Sequence, residues 1–163
     1  MKATGIVRRI DDLGRVVVPK EIRRILRIRE GDPLEIYTSS NGEIILKKYS
    51  PIGDMSQIAA EFAETASSIL GGTVAVSDTD NFIAASGKQK RQFGNDKIDA
   101  ELDHIIQTKD KYQSSKKLIV PIVSQGDAIG SITVLASDNR ELGDAEMKAA
   151  QIGADFIAKQ IYD

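Results

Sequence analysis

Residues 1–24, MKATGIVRRIDDLGRVVVPKEIRR, decide the reading of this chain. Residues 6–10 are rich in β-branched side chains and predict a strand. Asp11-Asp12-Leu13-Gly14 predicts a turn, with Gly14 able to take positive φ. Arg15-Val16-Val17-Val18 predicts a second strand. Pro19 ends it and suits the first turn of a short helix over residues 20–26. Ile22, Ile25 and Leu26 then share one helical face, while Arg23, Arg24 and Arg27 point elsewhere. Gly31-Asp32-Pro33 breaks the chain. Residues 34–38 and 43–47 flank Asn41-Gly42, the strongest short-range hairpin signal. Four short strands and one helix with about a dozen apolar side chains cannot bury much core. A second copy is the simplest remedy, so an obligate dimer is expected.

Outward from this stretch the charge divides. Residues 1–50 hold four lysines and seven arginines against three aspartates and four glutamates, a balance of +4. The remaining residues hold 11 basic and 17 acidic side chains, a balance of −6. A basic segment can approach a polyanion and an acidic one is repelled by it. The boundary falls near residue 51. There Lys47-Lys48-Tyr49-Ser50-Pro51 ends a strand-like run, and Pro51 cannot donate to a ladder. The expected domains are residues 1–50 and 51–163. At 41% hydrophobic and 28% charged residues, the composition is that of a globular protein. The absence of cysteine excludes disulfides, thiolate metal sites and a thiol nucleophile. The N-terminus lacks the apolar run of a signal peptide and no stretch is apolar enough to span a bilayer, so a cytoplasmic location without membrane contact is expected.

The second half predicts helix, two strands, helix, two strands, helix. The first helix starts near Asp54, uses Met55, Ile58, Ala59, Phe62, Ala66, Ile69 and Leu70, and stops at Gly71-Gly72. Residues 73–77 and 82–86 are strands about the turn at Asp78-Thr79-Asp80-Asn81. Residues 98–108 predict a helix, and residues 117–124 and 128–136 a hairpin. Residues 141–161 predict a final helix with Leu142, Ala145, Ala149, Ile152, Phe156 and Ile157 on one face. The fold class is α+β, with an antiparallel GAF- or PAS-like sheet carrying helices on one side.

The residues 1–24 quoted above, with Leu34-Glu35-Ile36-Tyr37 and residues 44–49, resemble the AbrB family of transition-state regulators. Gly126-Asp127-Ala128-Ile129-Gly130-Ser131-Ile132 and the order of elements resemble those members in which a GAF-like domain follows. The resemblance implies that two N-terminal modules interleave into a swapped-hairpin β-barrel. It implies that Arg8, Arg15, Arg23 and Arg24 face double-stranded DNA, a choice that suits arginine's planar fork of five donors. It also implies tolerance of loose, AT-leaning sites, a tetramer through the C-terminal domains, association with the nucleoid, and control of sporulation-stage genes. No cofactor or metal is implied. Arg9, Arg27, Lys2 and Lys20 are weaker candidates for backbone contact, and Lys47 and Lys48 are expected to face solvent. In loops, Lys88-Gln89-Lys90-Arg91 reads as a solvated run.

An unknown small-molecule effector would lie between sheet and helices, at Val76, Phe82, Ala84, Ile105, Val120, Ile122 and Ile132. All seven read equally well as core. Catalysis has no support. His104 is the only histidine, Asp78 and Asp80 fit a turn, and no phosphate-binding glycine loop occurs. The alternative class is an antitoxin, which would join the same module to a disordered toxin-binding tail. The apolar patterning of residues 51–163 argues against such a tail.

Overall fold

The computed structural model describes residues 4–94 and 96–161. The chain forms two compact units, Met1–Tyr49 and Ser50–Asp163.

In the first unit, α1 (Lys20–Leu26) follows Pro19, and β1 (Leu34–Thr38) pairs antiparallel with β2 (Ile44–Lys48). Pro19 fixes the φ that the helix needs. Arg27, at φ 56°, ends α1 in the left-handed region, and the Ile28 N–H returns to the Arg23 carbonyl at 2.8 Å. The hairpin turns at Gly42, with φ 81°, while the Ser39 hydroxyl accepts the Asn41 and Glu43 N–H groups. Residues 6–10 and 15–18, expected as strands, lie outside any strand of the single chain. A strand exists only through a ladder partner, and among the described residues no segment of this unit supplies one. Pro19 is the only buried residue among the unit's described residues.

The second unit holds a five-stranded antiparallel sheet in the order β4-β3-β7-β6-β5. Its strands are β3 (Thr73–Ser77), β4 (Phe82–Ser86), β5 (Tyr112–Gln113), β6 (Lys117–Ser124) and β7 (Asp127–Leu135). One face packs against α2 (Ser56–Leu70) and α4 (Asp144–Gln160). Val74, Val76, Leu118, Val120, Ile122, Ile132 and Val134 meet Ala59, Ala63, Ala154 and Ile157 there. The opposite face carries α3 (Ala100–Thr108), where Ile98, Leu102, Ile105 and Ile106 meet Ile119. Helices therefore cover both faces, not one as expected. This explains why residues 118–122 and 129–135 are buried in succession instead of alternating with exposed positions.

Helix boundaries follow local chemistry. Asp99 caps α3 by accepting the Leu102 N–H at 2.8 Å. Glu146 reaches back to the Gly143 N–H at 2.9 Å, so α4 begins at Asp144, not at residue 141. The buried stripe of α4 is also rotated from expectation. Ala150, Gly153, Ala154, Ile157 and Ala158 face inward, and Ile152 and Phe156 face outward. Small side chains bring α4 close, and the Phe62 ring of α2 occupies the space that a Cβ at Gly153 would need.

Candidate nucleic-acid interface

Arg8, Arg15, Arg23 and Arg24 are all exposed. Two of them are held. The Asp11 carboxylate accepts the N–H groups of Leu13 and Arg15 at 2.9 and 2.8 Å, and Arg15 Nε at 2.8 Å. Those bonds, the Arg15 backbone N–H foremost and its guanidinium next, hold the Asp11 carboxyl below its ordinary pKa. Asp11 thus closes the turn and orients Arg15. Its role was unread in the sequence, although Asp placed four residues before an Arg, across a glycine turn, is the available signal. Arg23 Nε donates to the Val18 carbonyl at 3.1 Å, which ties the start of α1 to the segment before it.

Of the weaker candidates, Arg9 and Lys20 are exposed, Arg27 is half-buried at the end of α1, and Lys2 lies outside the described residues. Lys47 sits over the Tyr37 ring, 5.3 Å from its centroid. Lys48 corrects the expectation of a solvent-facing side chain. Its ammonium binds the Arg27 carbonyl at 2.9 Å and lies 3.8 Å from Asp32, which in turn accepts the Arg29 N–H. Lys48 is a fastener between the hairpin and the end of α1. In the second unit, Lys88, Lys90 and Arg91 are exposed while Gln89 is pinned to Thr73 and Ala136.

The seven effector candidates do not line one cavity. Val76, Val120, Ile122 and Ile132 lie in the core beneath α2 and α4, with Ala84 packed against it. Ile105 and Phe82 lie on the opposite face. Of the seven, Phe82 alone lines the cavity of about 190 Å³ on that face. A larger cleft of about 530 Å³ opens at the sheet end bounded by Gly71, Gly87 and Arg140. His104 is exposed on α3. Among the described residues no three metal-binding side chains cluster, and no helix is long and apolar enough to cross a membrane.

The family description "Stage V sporulation protein T C-terminal, transcription factor" matches residues 54–162. Stage V sporulation protein T of Bacillus subtilis is 44% identical over 177 residues, covering 99% of each chain. The chain belongs to the stage V sporulation protein T family. The transition state regulatory protein AbrB of the same organism is 48% identical over 77 residues, 47% of this chain and 78% of that protein. A solved N-terminal DNA recognition domain of AbrB is 63% identical, covering 30% of this chain and 91% of that one. The TM-score over that stretch is 0.26. The second GAF domain of DevS from Mycobacterium smegmatis covers 65% of this chain and 91% of that one, with a TM-score of 0.54. At 13% identity it shows the α+β GAF fold alone. A second description, "Antidote-toxin recognition MazE, bacterial antitoxin", matches residues 7–54. It covers only the module, and the rest of this stage V sporulation protein T relative is a folded sheet rather than a disordered tail. The stage V sporulation protein T family is one of transcription factors, not of enzymes.

Proposed function

We propose that residues 1–50 pair with a second copy as a swapped-hairpin, DNA-binding barrel. Residues 51–163 form the regulatory and oligomerising half of a sporulation-stage transcription regulator that works in the cytoplasm, on the nucleoid. The surface of the first unit carries the reading. Its balance is +4, and Arg8, Arg15, Arg23 and Arg24 all stand in solvent beside apolar side chains that no core covers. Val7, Ile25 and Ile44 are 85%, 74% and 70% exposed. Covering each such side chain stabilises by about 1.5–3 kcal/mol, so a partner copy supplies what the single unit lacks. That partner would also give residues 6–10 and 15–18 their missing ladders.

At seven residues, α1 is short for a recognition helix. Arginines on the turn, the first segment and α1 therefore share the contacts. Contacts of this kind go largely to phosphate, which makes the protein tolerant of sequence and sensitive to DNA deformability. In the second unit, Ile152 and Phe156 on α4 are exposed one turn apart and suit contact between dimers in a tetramer. The GAF-like unit would sense a small effector.

Fluorescence anisotropy of a labelled AT-rich duplex tests the proposal. The full chain should bind, and the Arg8, Arg15, Arg23, Arg24→Ala variant should lose binding while it sediments as the same oligomer. Equal binding by that variant would show that the four arginines are surface charges only.

A further inference from the structure

The sheet face under α3 holds a polar group with no stated task. Thr133 is 2% exposed, and its hydroxyl has no hydrogen-bond partner. A buried hydroxyl left unpaired is unfavourable, and native folds keep few of them. Thr133 lies in the middle of the sheet, paired with Ala75 and Ile119, and its side chain points to the face opposite Ile132 and Val134. On that face it lines the cavity of about 190 Å³.

The other walls define what would fit. Phe82 and Phe93 form an aromatic wall, with ring centroids 4.7 Å apart and planes at 60°. Lys97 and Lys117 are the two basic residues of the lining. Asp99 brings one carboxylate, but that group is engaged as the cap of α3. The local balance is therefore one positive charge, set in a unit whose overall balance is −6. The volume is below the roughly 300 Å³ at which pockets begin to take drug-sized ligands. The occupant is thus no larger than an amino acid.

We propose that this cavity is the effector site of the second unit, and that it takes a small carboxylate with an apolar or aromatic body. The carboxylate pairs with Lys97 and Lys117, the body packs on Phe82 and Phe93, and the Thr133 hydroxyl donates to the ligand's polar end. The assignment rests on the regulatory reading of the second unit and adds its location and ligand class. The cavity lies where α3 meets the sheet, so occupancy would also tighten α3 onto β6 and β7.

Methyl NMR of the full chain, observed at Thr133 and titrated with phenylacetate, phenylpyruvate, 4-methylvalerate and the neutral isostere phenylacetamide, tests the proposal. At least one carboxylate should shift the Thr133 methyl and bind at least tenfold more tightly than the amide. Lys117→Met should weaken that carboxylate at least fivefold and leave the amide unchanged. Thr133→Val, which keeps the shape, should weaken binding yet raise the melting temperature of the unliganded chain. Binding of the amide as tightly as the acids would overturn the ligand class. Shifts confined to other parts of the second unit would overturn the location and leave the regulatory reading standing. No shift with any of the four probes overturns the proposal, and the anisotropy result with the arginine variant is unaffected by that outcome.

Discussion

Ser77 on β3 and Ser131 on β7 face each other across the central ladder, both fully buried, with their hydroxyl oxygens 2.6 Å apart. Each hydroxyl has the other as its partner. Ser77→Ala therefore removes one group and strands the other in a dry site, at a cost of about 1–3 kcal/mol. Ser131→Ala costs the same by the same reasoning. The double variant strands nothing, and replacing both partners of a hydrogen bond by apolar groups is close to neutral. With about 2 kcal/mol for each single change, independent sites would give about 4 kcal/mol, whereas the double variant should lose no more than about 1 kcal/mol. The coupling of about 3 kcal/mol sits at the upper end for residues in direct contact. Native-state hydrogen exchange of the β3 and β7 amides reads the stability of this unit separately from the first. A double variant whose loss equals the sum of the singles would refute the reasoning, because the two hydroxyls would then be serving other partners.

Two further outcomes follow from the same unit. Gly130→Ala would drive a Cβ into the Ser77 carbonyl of the neighbouring strand and against Ile52, and neither can retreat without breaking a ladder or the core. Urea melts should show a loss of about 1–3 kcal/mol, whereas Gly126→Ala, which meets no atom within 4 Å but sits at φ 85°, should cost about 1 kcal/mol through backbone strain alone. Glu146 is held below its ordinary value of 4.5, first by the Gly143 N–H that it accepts and next by its own backbone N–H. Its folded pKa is depressed, so its contribution to stability is present above about pH 4.5 and is lost as pH falls through the folded pKa. Glu146→Gln should flatten that acid limb of the stability curve measured by thermal melting, and an unchanged limb would contradict the assignment.

The legible parts of the sequence were those governed by local chemistry. Asn41-Gly42 located the first hairpin, Pro19 the start of α1, and Gly71 the end of α2. The helices under the sheet were legible as elements, but not the face they bury, since Ile69, Ile152 and Phe156 point outward and small residues of α4 face the sheet. What was not legible depended on neighbours. Residues 6–10 and 15–18 have the composition of strands, but the ladder they need lies outside the single unit. Residues 118–122 are apolar throughout and residues 129–135 are interrupted only by the small polar Ser131 and Thr133, so the pattern could not say which face α3 would cover. That ambiguity extends to Val120, Ile122 and Ile132, which together with Val76 lie in the core beneath α2 and α4 rather than at a ligand site. It also hid Thr133, whose interest comes from the partner it lacks. The strand β5 has two residues, too few for a pattern. For the arginines, exposure and the Asp11 brace add geometry to what the motif suggested.

The central claim is that the first unit grips DNA through paired sets of arginines. The most direct measurement is the dependence of DNA affinity on salt for the full chain, by anisotropy across a series of potassium chloride concentrations. Four to eight neutralised phosphates per dimer give a log–log slope of about −4 to −7. The account predicts a slope in that range, reduced by about 1–2 when Arg15 alone is replaced by Ala, since each dimer carries that residue twice. Binding that does not weaken with salt, or a slope that Arg15→Ala leaves unchanged, would contradict it.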